Sequence, residues 1–231
     1  NYVPFCLGNM FTGIGVDTFA YHNYKASYYS RNTSHPNMGY STFKTMGNGM
    51  KFTTSWPASD LEMMQQSIDD YINKDQFLAY YMTFSGHYRY DFDSNPMCRR
   101  NKSAVDNLNY STSVKAYISC NLELEYALEY LMQRLTDAGK LNDTVIVLAA
   151  DHYPYGLTEN EYNELAGQEI DTTFGKYKSC FICYNAGMEP VQIDTPCCNI
   201  DILPTLLNLF GMEYDSRLIV GTDVLSTGNH I

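Results

Sequence analysis

The sequence predicts an α/β fold in which a mostly parallel sheet is sandwiched by helices. Three observations carry this. Apolar runs at 77–84 and 144–150 contain no charge and have the length and β-branched or aromatic content of buried strands. Segments with helical apolar spacing at 59–73 and 113–137 alternate with those strands, as βαβ units require. Both apolar runs end in side chains capable of chemistry, Ser85-Gly86-His87 and Asp151-His152, and open α/β sheets collect their sites beyond the carboxyl ends of strands.

In chain order, Phe5, Leu7, Met10, Phe11 and Ile14 predict a short helix over 4–15 stopped by Gly15, and a strand follows at 16–21. The stretch from His22 to Arg31 begins where that strand is expected to end. It is either an anion-binding cluster, with Arg31 as a planar fork and His22 as a second donor, or a polar helix start with exposed tyrosines. Glycines, prolines and the only tryptophan, Trp56, predict a long irregular excursion over 32–58. Ser59 or Asp60 caps the next helix, which buries Leu61, Met64, Ile68 and Ile72 and reaches about Asn73.

Residues 88–109 read as loop. Val114, Ile118, Leu122, Leu128, Leu131 and Leu135 define a long amphipathic helix closed by Gly139, with Glu123, Glu125 and Glu129 expected on a solvated flank. A further helix is expected at 159–169 and a strand at 179–184. The helix at 201–210 has Asp201 near its cap, Pro204 in its first turn and Gly211 as its stop. The tail offers no chemistry, and His230 is expected to be disordered.

The 231 residues suit a single domain with a real core. A net charge of −11 excludes a nucleic-acid surface, so any anionic substrate must be held by a metal and a few local cations. No run reaches the roughly 20 apolar residues that span a bilayer, and no signal-peptide pattern is present at Asn1. Seven cysteines is an odd number. Cys180 and Cys183 have CxxC spacing, but on a strand they point to opposite faces, so they read as buried small hydrophobes rather than as a chelate.

Several stretches together resemble the alkaline phosphatase-like superfamily, and within it the lipoteichoic acid synthase (phosphoglycerol transferase) branch of the sulfatase-like proteins. These are the strand ending in Asp151-His152, the Phe84-Ser-Gly-His87-Tyr-Arg-Tyr segment, the helix leading into Leu141-Asn-Asp-Thr-Val-Ile-Val, and Asp201-Ile-Leu-Pro-Thr-Leu-Leu-Asn-Leu-Phe-Gly211. His22, Tyr29 and Arg31 have the spacing of that branch's histidine, aromatic and arginine that face a phosphoglycerol group.

The resemblance implies that Asp151 and His152 ligate a divalent ion, manganese in the synthase branch and zinc or calcium in relatives. It implies that His22, Tyr29, Arg31 and His87 bind the phosphate of a phosphoglycerol lipid headgroup or teichoic acid-like polymer. In the family a metal-bound threonine attacks a phosphodiester, and an acceptor hydroxyl then takes the group. No segment here matches the nucleophile motif; Thr12 lies inside the first helix and does not fit. The chain is therefore expected to be the C-terminal part of a catalytic domain, with the nucleophile upstream of residue 1, an incomplete metal site and no activity alone. The full-length protein is expected on the extracellular face of the bacterial cell membrane, held by an N-terminal transmembrane region. Alternatives are a phosphoethanolamine transferase or sulfatase on the same scaffold, or a catalytically dead domain that binds an anionic polymer.

Overall fold

The computed structural model describes residues 2–226, so the expectation for His230 lies outside the described residues. Helix α1 (Leu7–Gly13) leads through Gly15, whose φ of +87° lets the chain reverse, into strand β1 (Asp17–Lys25). A 3₁₀ turn at Tyr28–Ser30 feeds α2 (Arg31–Asn37), followed by β2 (Thr42–Met46) and the short β3 (Gly49–Met50). The long irregular excursion expected at 32–58 thus holds a helix and two strands. Its turn residues punctuate these elements: Gly39, Gly47 and Gly49 all have positive φ.

Next come α3 (Asp60–Ser67), whose N-cap Ser59 accepts a hydrogen bond from the Glu62 N–H, and β4 (Phe77–Met82). The segment expected to be loop at 88–109 contains α4 (Pro96–Arg100), with the Asn95 side chain accepting from the N–H groups of Met97 and Cys98 and Pro96 in the first turn. The long helix is α5 (Thr112–Asp137). After it lie β5 (Ile146–Ala149), α6 (Glu159–Ala166) with a Thr158/Glu161 capping box, β6 (Phe181–Tyr184) and α7 (Ile202–Leu209).

Four strands form one parallel sheet in the order β3-β2-β1-β4. Central β1 alternates its side chains between two covered faces. Phe19 and Tyr21 enter a core with Met50, Met63, Ile68, Tyr71, Ile72 and Leu135, which places α3 and α5 on that face. Thr18 and Ala20 face the other way. Thr18 reaches the Gly39 carbonyl at 2.8 Å, and the neighbours of Ala20 in register, Phe43 and Tyr80, stack on His35 of α2. Helices therefore cover both faces, as expected. His22 departs from expectation: β1 runs on to Lys25, so His22 lies within the strand and is fully buried.

Three burial expectations are corrected. β5 pairs antiparallel with β6 in a separate two-stranded ribbon, and Val147 is 37% exposed. The 144–150 run is thus a half-exposed strand, because β6 is its sole hydrogen-bonded neighbour among the described residues. Cys180 and Cys183, on and beside that ribbon, are exposed rather than core residues. Glu123 is buried. Its carboxylate accepts from Ser59 Oγ, from Arg100 Nη1 at 2.9 Å and from Asn101 Nδ2 at 3.1 Å, while Arg100 also grips Glu62 at 2.8 Å. Only Glu125 and Glu129 stay on the solvated flank.

Glu123 ties α5 to the start of α3 and the end of α4. Replacing it with Ala removes one acceptor each from Arg100, Ser59 and Asn101, although Arg100 keeps Glu62 and Asn101 keeps the Ser119 carbonyl, and loss of one partner of a buried ion pair costs about 3 kcal/mol. Urea unfolding of Glu123→Ala is expected to show that loss, and Glu129→Ala to stay within about 0.5 kcal/mol of the parent.

Candidate functional site

The site grows from the carboxyl ends of β1 and β4. In register, His22 of β1 lies beside Met82 of β4, and its Nδ1–H donates to the Met82 carbonyl at 3.0 Å. That bond fixes the tautomer: Nε2 is left as an acceptor and takes a hydrogen bond from Arg31 Nη1 at 3.3 Å. Burial, with a further push from the Arg31 charge, lowers the His22 pKa from the usual 6.5 to about 4. His22 is thus a neutral positioning group for a cation.

Arg31 stands at the first residue of α2, and the route to it is unusual. Tyr29 and Ser30 both take positive φ, +52° and +54°, in the left-handed region that side chains disfavour. The double reversal turns Arg31 back over β1. There its guanidinium lies 5.2 Å from the Tyr28 ring centroid and 5.3 Å from that of Tyr29, and donates to the Tyr28 carbonyl. It forms no salt bridge among the described residues. Burial lowers its pKa, opposed by nearby Tyr80, Tyr28 and Asp151, and a guanidinium remains charged at any working pH. The result is a fixed, half-buried cation with unused donor capacity. Tyr29 itself is 77% exposed, an open flank of the site.

His87 follows the β4 end on the Ser85-Gly86 turn. The turn is held by Asp60, at the start of α3, whose buried carboxylate accepts from the Phe84 N–H at 2.8 Å, the Ser85 N–H at 3.2 Å, the Ser85 hydroxyl and Asn23 Nδ2 at 2.7 Å. Phe84 links the two strand ends: its ring meets His22 at 5.6 Å and His87 at 4.6 Å. Tyr24, Tyr28 and Trp56 pack on the same Phe84 ring. Sequence reasoning left Asp60 as a possible cap and gave Trp56 no role. The available signals were an acidic residue directly after a Ser N-cap and a lone tryptophan in a glycine-rich stretch.

Asp151 and His152 follow β5. Their side chains face solvent, the carboxylate nearly completely so, and His152 Nε2 lies 3.7 Å from Asp151 Oδ2. His152 Nδ1 bonds the Tyr153 carbonyl at 2.8 Å. A chain of rings, His152 to Tyr155 at 4.5 Å, Tyr155 to Tyr88 at 5.2 Å and Tyr88 to His87 at 4.8 Å, connects this loop to the His87 turn. The structure thus gathers His22, Tyr29 and Arg31 directly, and joins His87 and the Asp-His loop to them through aromatic contacts. Among the described residues no three His, Cys, Asp or Glu side chains converge on a metal position. Asp151 and His152 are the right donor types for a divalent ion but supply only two of the ligands it needs.

Comparison with known proteins bears on the family and the fold. The family model described as Sulfatase matches residues 2–212. The lipoteichoic acid synthase of Staphylococcus saprophyticus is 28% identical over 176 residues, covering 72% of this chain and 26% of that protein. The crystal structure of the lipoteichoic acid synthase LtaP from Listeria monocytogenes superposes with a TM-score of 0.76 at 22% identity, over 94% of this chain and 55% of that one. The Streptococcus pyogenes phosphoglycerol transferase GacH, solved in complex with sn-glycerol-1-phosphate, superposes with a TM-score of 0.57 at 17% identity, over 84% of this chain and 50% of that one. The chain spans about a quarter of the length of the curated relatives it matches. The structural matches show a shared fold.

The low His22 pKa has a thermodynamic consequence. The unfolded chain protonates this imidazole near pH 6.5 and the folded chain only near 4, so its contribution to stability is fully present above pH 6.5 and is lost on acidification towards pH 4. The expected loss is about 3 kcal/mol. Denaturant unfolding at pH 7 and pH 4 is expected to show a steeper fall for the parent than for His22→Gln; parallel pH profiles would contradict a neutral, buried His22.

Proposed function

The chain belongs to the sulfatase family, and from that membership and the His22–Arg31 pair we propose that it forms the substrate-facing part of a metal-dependent phosphoglycerol transferase of the lipoteichoic acid synthase kind. The observation that carries this reading is Arg31: a rigid, half-buried guanidinium with no carboxylate partner among the described residues, aimed by a neutral histidine. A planar fork of this kind suits bidentate binding of a phosphate. The glycerol phosphate bound in GacH and the synthase relatives support a phosphoglycerol group as the occupant.

In this reading His22 keeps Arg31 in place and Arg31 takes two phosphate oxygens. His87 donates from the facing strand end, and Tyr29 closes the exposed side over the glycerol. Because Arg31 is already fixed in the free protein, little side-chain freedom is lost on binding. Asp151 and His152 would hold a divalent ion together with ligands from outside these 231 residues. When bound, that ion lowers the pKa of the attacking hydroxyl and neutralises charge developing at phosphorus. The attacking threonine is likewise proposed to come from a segment outside this sequence, in a protein anchored at the extracellular face of a bacterial membrane. No helix among the described residues is long and apolar enough to cross a membrane.

Titration of the chain with sn-glycerol 1-phosphate, followed by NMR or calorimetry, tests the pocket. Loss of charge-assisted hydrogen bonds in Arg31→Ala is expected to weaken binding roughly 10- to 100-fold. Arg31→Lys should recover only part of it, since a point charge does not replace the fork. Equal affinity in parent and Arg31→Ala would refute the pocket.

Manganese added to this chain alone is expected to bind weakly, because two ligands on one exposed loop hold a divalent ion poorly. Tight one-to-one binding abolished by Asp151→Ala would instead mean that the chain carries a complete metal site.

A further inference from the structure

Beside His87, an open cleft of about 410 Å³ is lined by Trp56, Pro57, Tyr88, Arg89, Ser94 and Asn95. Trp56 packs on Phe84 and Tyr88 links His87 to Tyr155, but the proposed function gives none of the six a ligand to hold. The volume falls within the roughly 300–1,000 Å³ typical of ligand pockets. Trp56 and Tyr88 are each 40% exposed, and both rings pack on His87, at 4.7 Å and 4.8 Å between centroids. His87 therefore packs against two of the residues that line this cleft.

The floor is built rather than incidental. Asn95 is almost fully buried, and all its hydrogen-bonding capacity goes into the cleft's own backbone. Its amide donates to the carbonyls of His87 at 3.1 Å and Arg89 at 2.7 Å, while its oxygen accepts from the N–H groups of Met97 and Cys98. That one side chain fixes the 87–89 turn to the start of α4. It holds Tyr88 and Arg89 at the rim without spending a ligand's binding energy on ordering them. Arg89 is exposed and forms no salt bridge among the described residues.

We propose that this cleft is a saccharide subsite, in which a pyranose ring lies against the exposed faces of Trp56 and Tyr88 while Arg89 donates to its hydroxyls. Two amphipathic rings and a donor fork suit a ligand that is apolar on its C–H face and polar at its rim. A second phosphate suits the cleft less well. Asp91 stands close enough for its charge to be felt: its carboxyl is held below the usual range first by the Ser94 hydroxyl and N–H, and also by Arg89. Asp91 thus tempers the attraction of an anion to Arg89, much as Asp151 does at Arg31, and it is the pair of exposed rings that makes a sugar face the better occupant. The proposal goes beyond the phosphoglycerol reading and does not require it.

Trp56 is the only tryptophan, so intrinsic emission reports on this cleft directly. The chain is titrated with uncharged trisaccharides of gluco-, galacto- and manno-configuration, and separately with sn-glycerol 1-phosphate. A saturable change in Trp56 emission is expected with at least one trisaccharide. Affinity should fall tenfold or more in Arg89→Ala and Tyr88→Ala and be unchanged in Arg31→Ala. Arg89→Gln, at an exposed position, serves as a second variant whose melting temperature matches the parent. No saturable change with any trisaccharide overturns the proposal, as does a response indifferent to Arg89. A glycerol phosphate response that needs Arg89 and not Arg31 also overturns it, by making the cleft the anion site. Loss of Arg31 dependence with the saccharide response intact would sink the phosphoglycerol pocket alone.

Discussion

The Asp60 carboxylate is the constraint on which the site depends. It sits wholly inside the protein, at the first residue of α3, and binds donors from the end of β1, the end of β4 and the turn beyond it. Burial pushes its pKa up, against the four donors, which pull it down. A buried carboxyl without such donors would be costly, and the donors without the carboxyl would be left unpaired. Position follows from this exchange. With Asn23 and Ser85 tied to one carboxylate, the two strand ends cannot separate, and Phe84 is held between His22 and His87.

The second theme is where unpaired guanidinium groups stand in a chain of net charge −11. Arg100, Arg134 and Arg217 each have a carboxylate partner, and Arg99 donates to the backbone carbonyls of Phe92 and Asp93. Arg31 and Arg89 have no carboxylate partner among the described residues, and both flank the ring cluster around His87. An acidic protein can still recognise an anion because the field at short range is set by the nearest unpaired fork, with distant charges screened by salt beyond about 8 Å. Neutral His22 serves the same end: a protonated imidazole would give Arg31 no acceptor at Nε2 and would leave it only the Tyr28 carbonyl.

Much of the fold was legible in the sequence. The apolar run at 77–84, the Ser59 cap and the long apolar stripe ending at Leu135 are local signals, and local signals survive without knowledge of partners. What was misread depended on distant neighbours. Glu123 lies on a helix face that looks solvated until Arg100 and Ser59, 23 and 64 residues away, close over it. The 144–150 run has the composition of a buried strand, yet composition does not state how many neighbours pair with it. In the site, the His22, Tyr29 and Arg31 spacing was visible. The left-handed turn that joins them was not, because neither Tyr29 nor Ser30 announces positive φ as a glycine would. Trp56 was conspicuous by rarity, but its contact with His87 spans 31 residues with a helix and a strand between them.

The β5–β6 ribbon bears on how these molecules behave towards one another. Each of its outer edges carries backbone N–H and C=O groups with no strand beside them among the described residues, next to exposed Val147, Ile182 and Tyr184. Such edges are templates for intermolecular pairing. At neutral pH the strong negative charge keeps copies apart. Near the isoelectric point, about pH 4.7, that repulsion vanishes while the edges remain. The colloidal stability of this chain is therefore electrostatic, and its solubility minimum falls where the ribbon is least guarded.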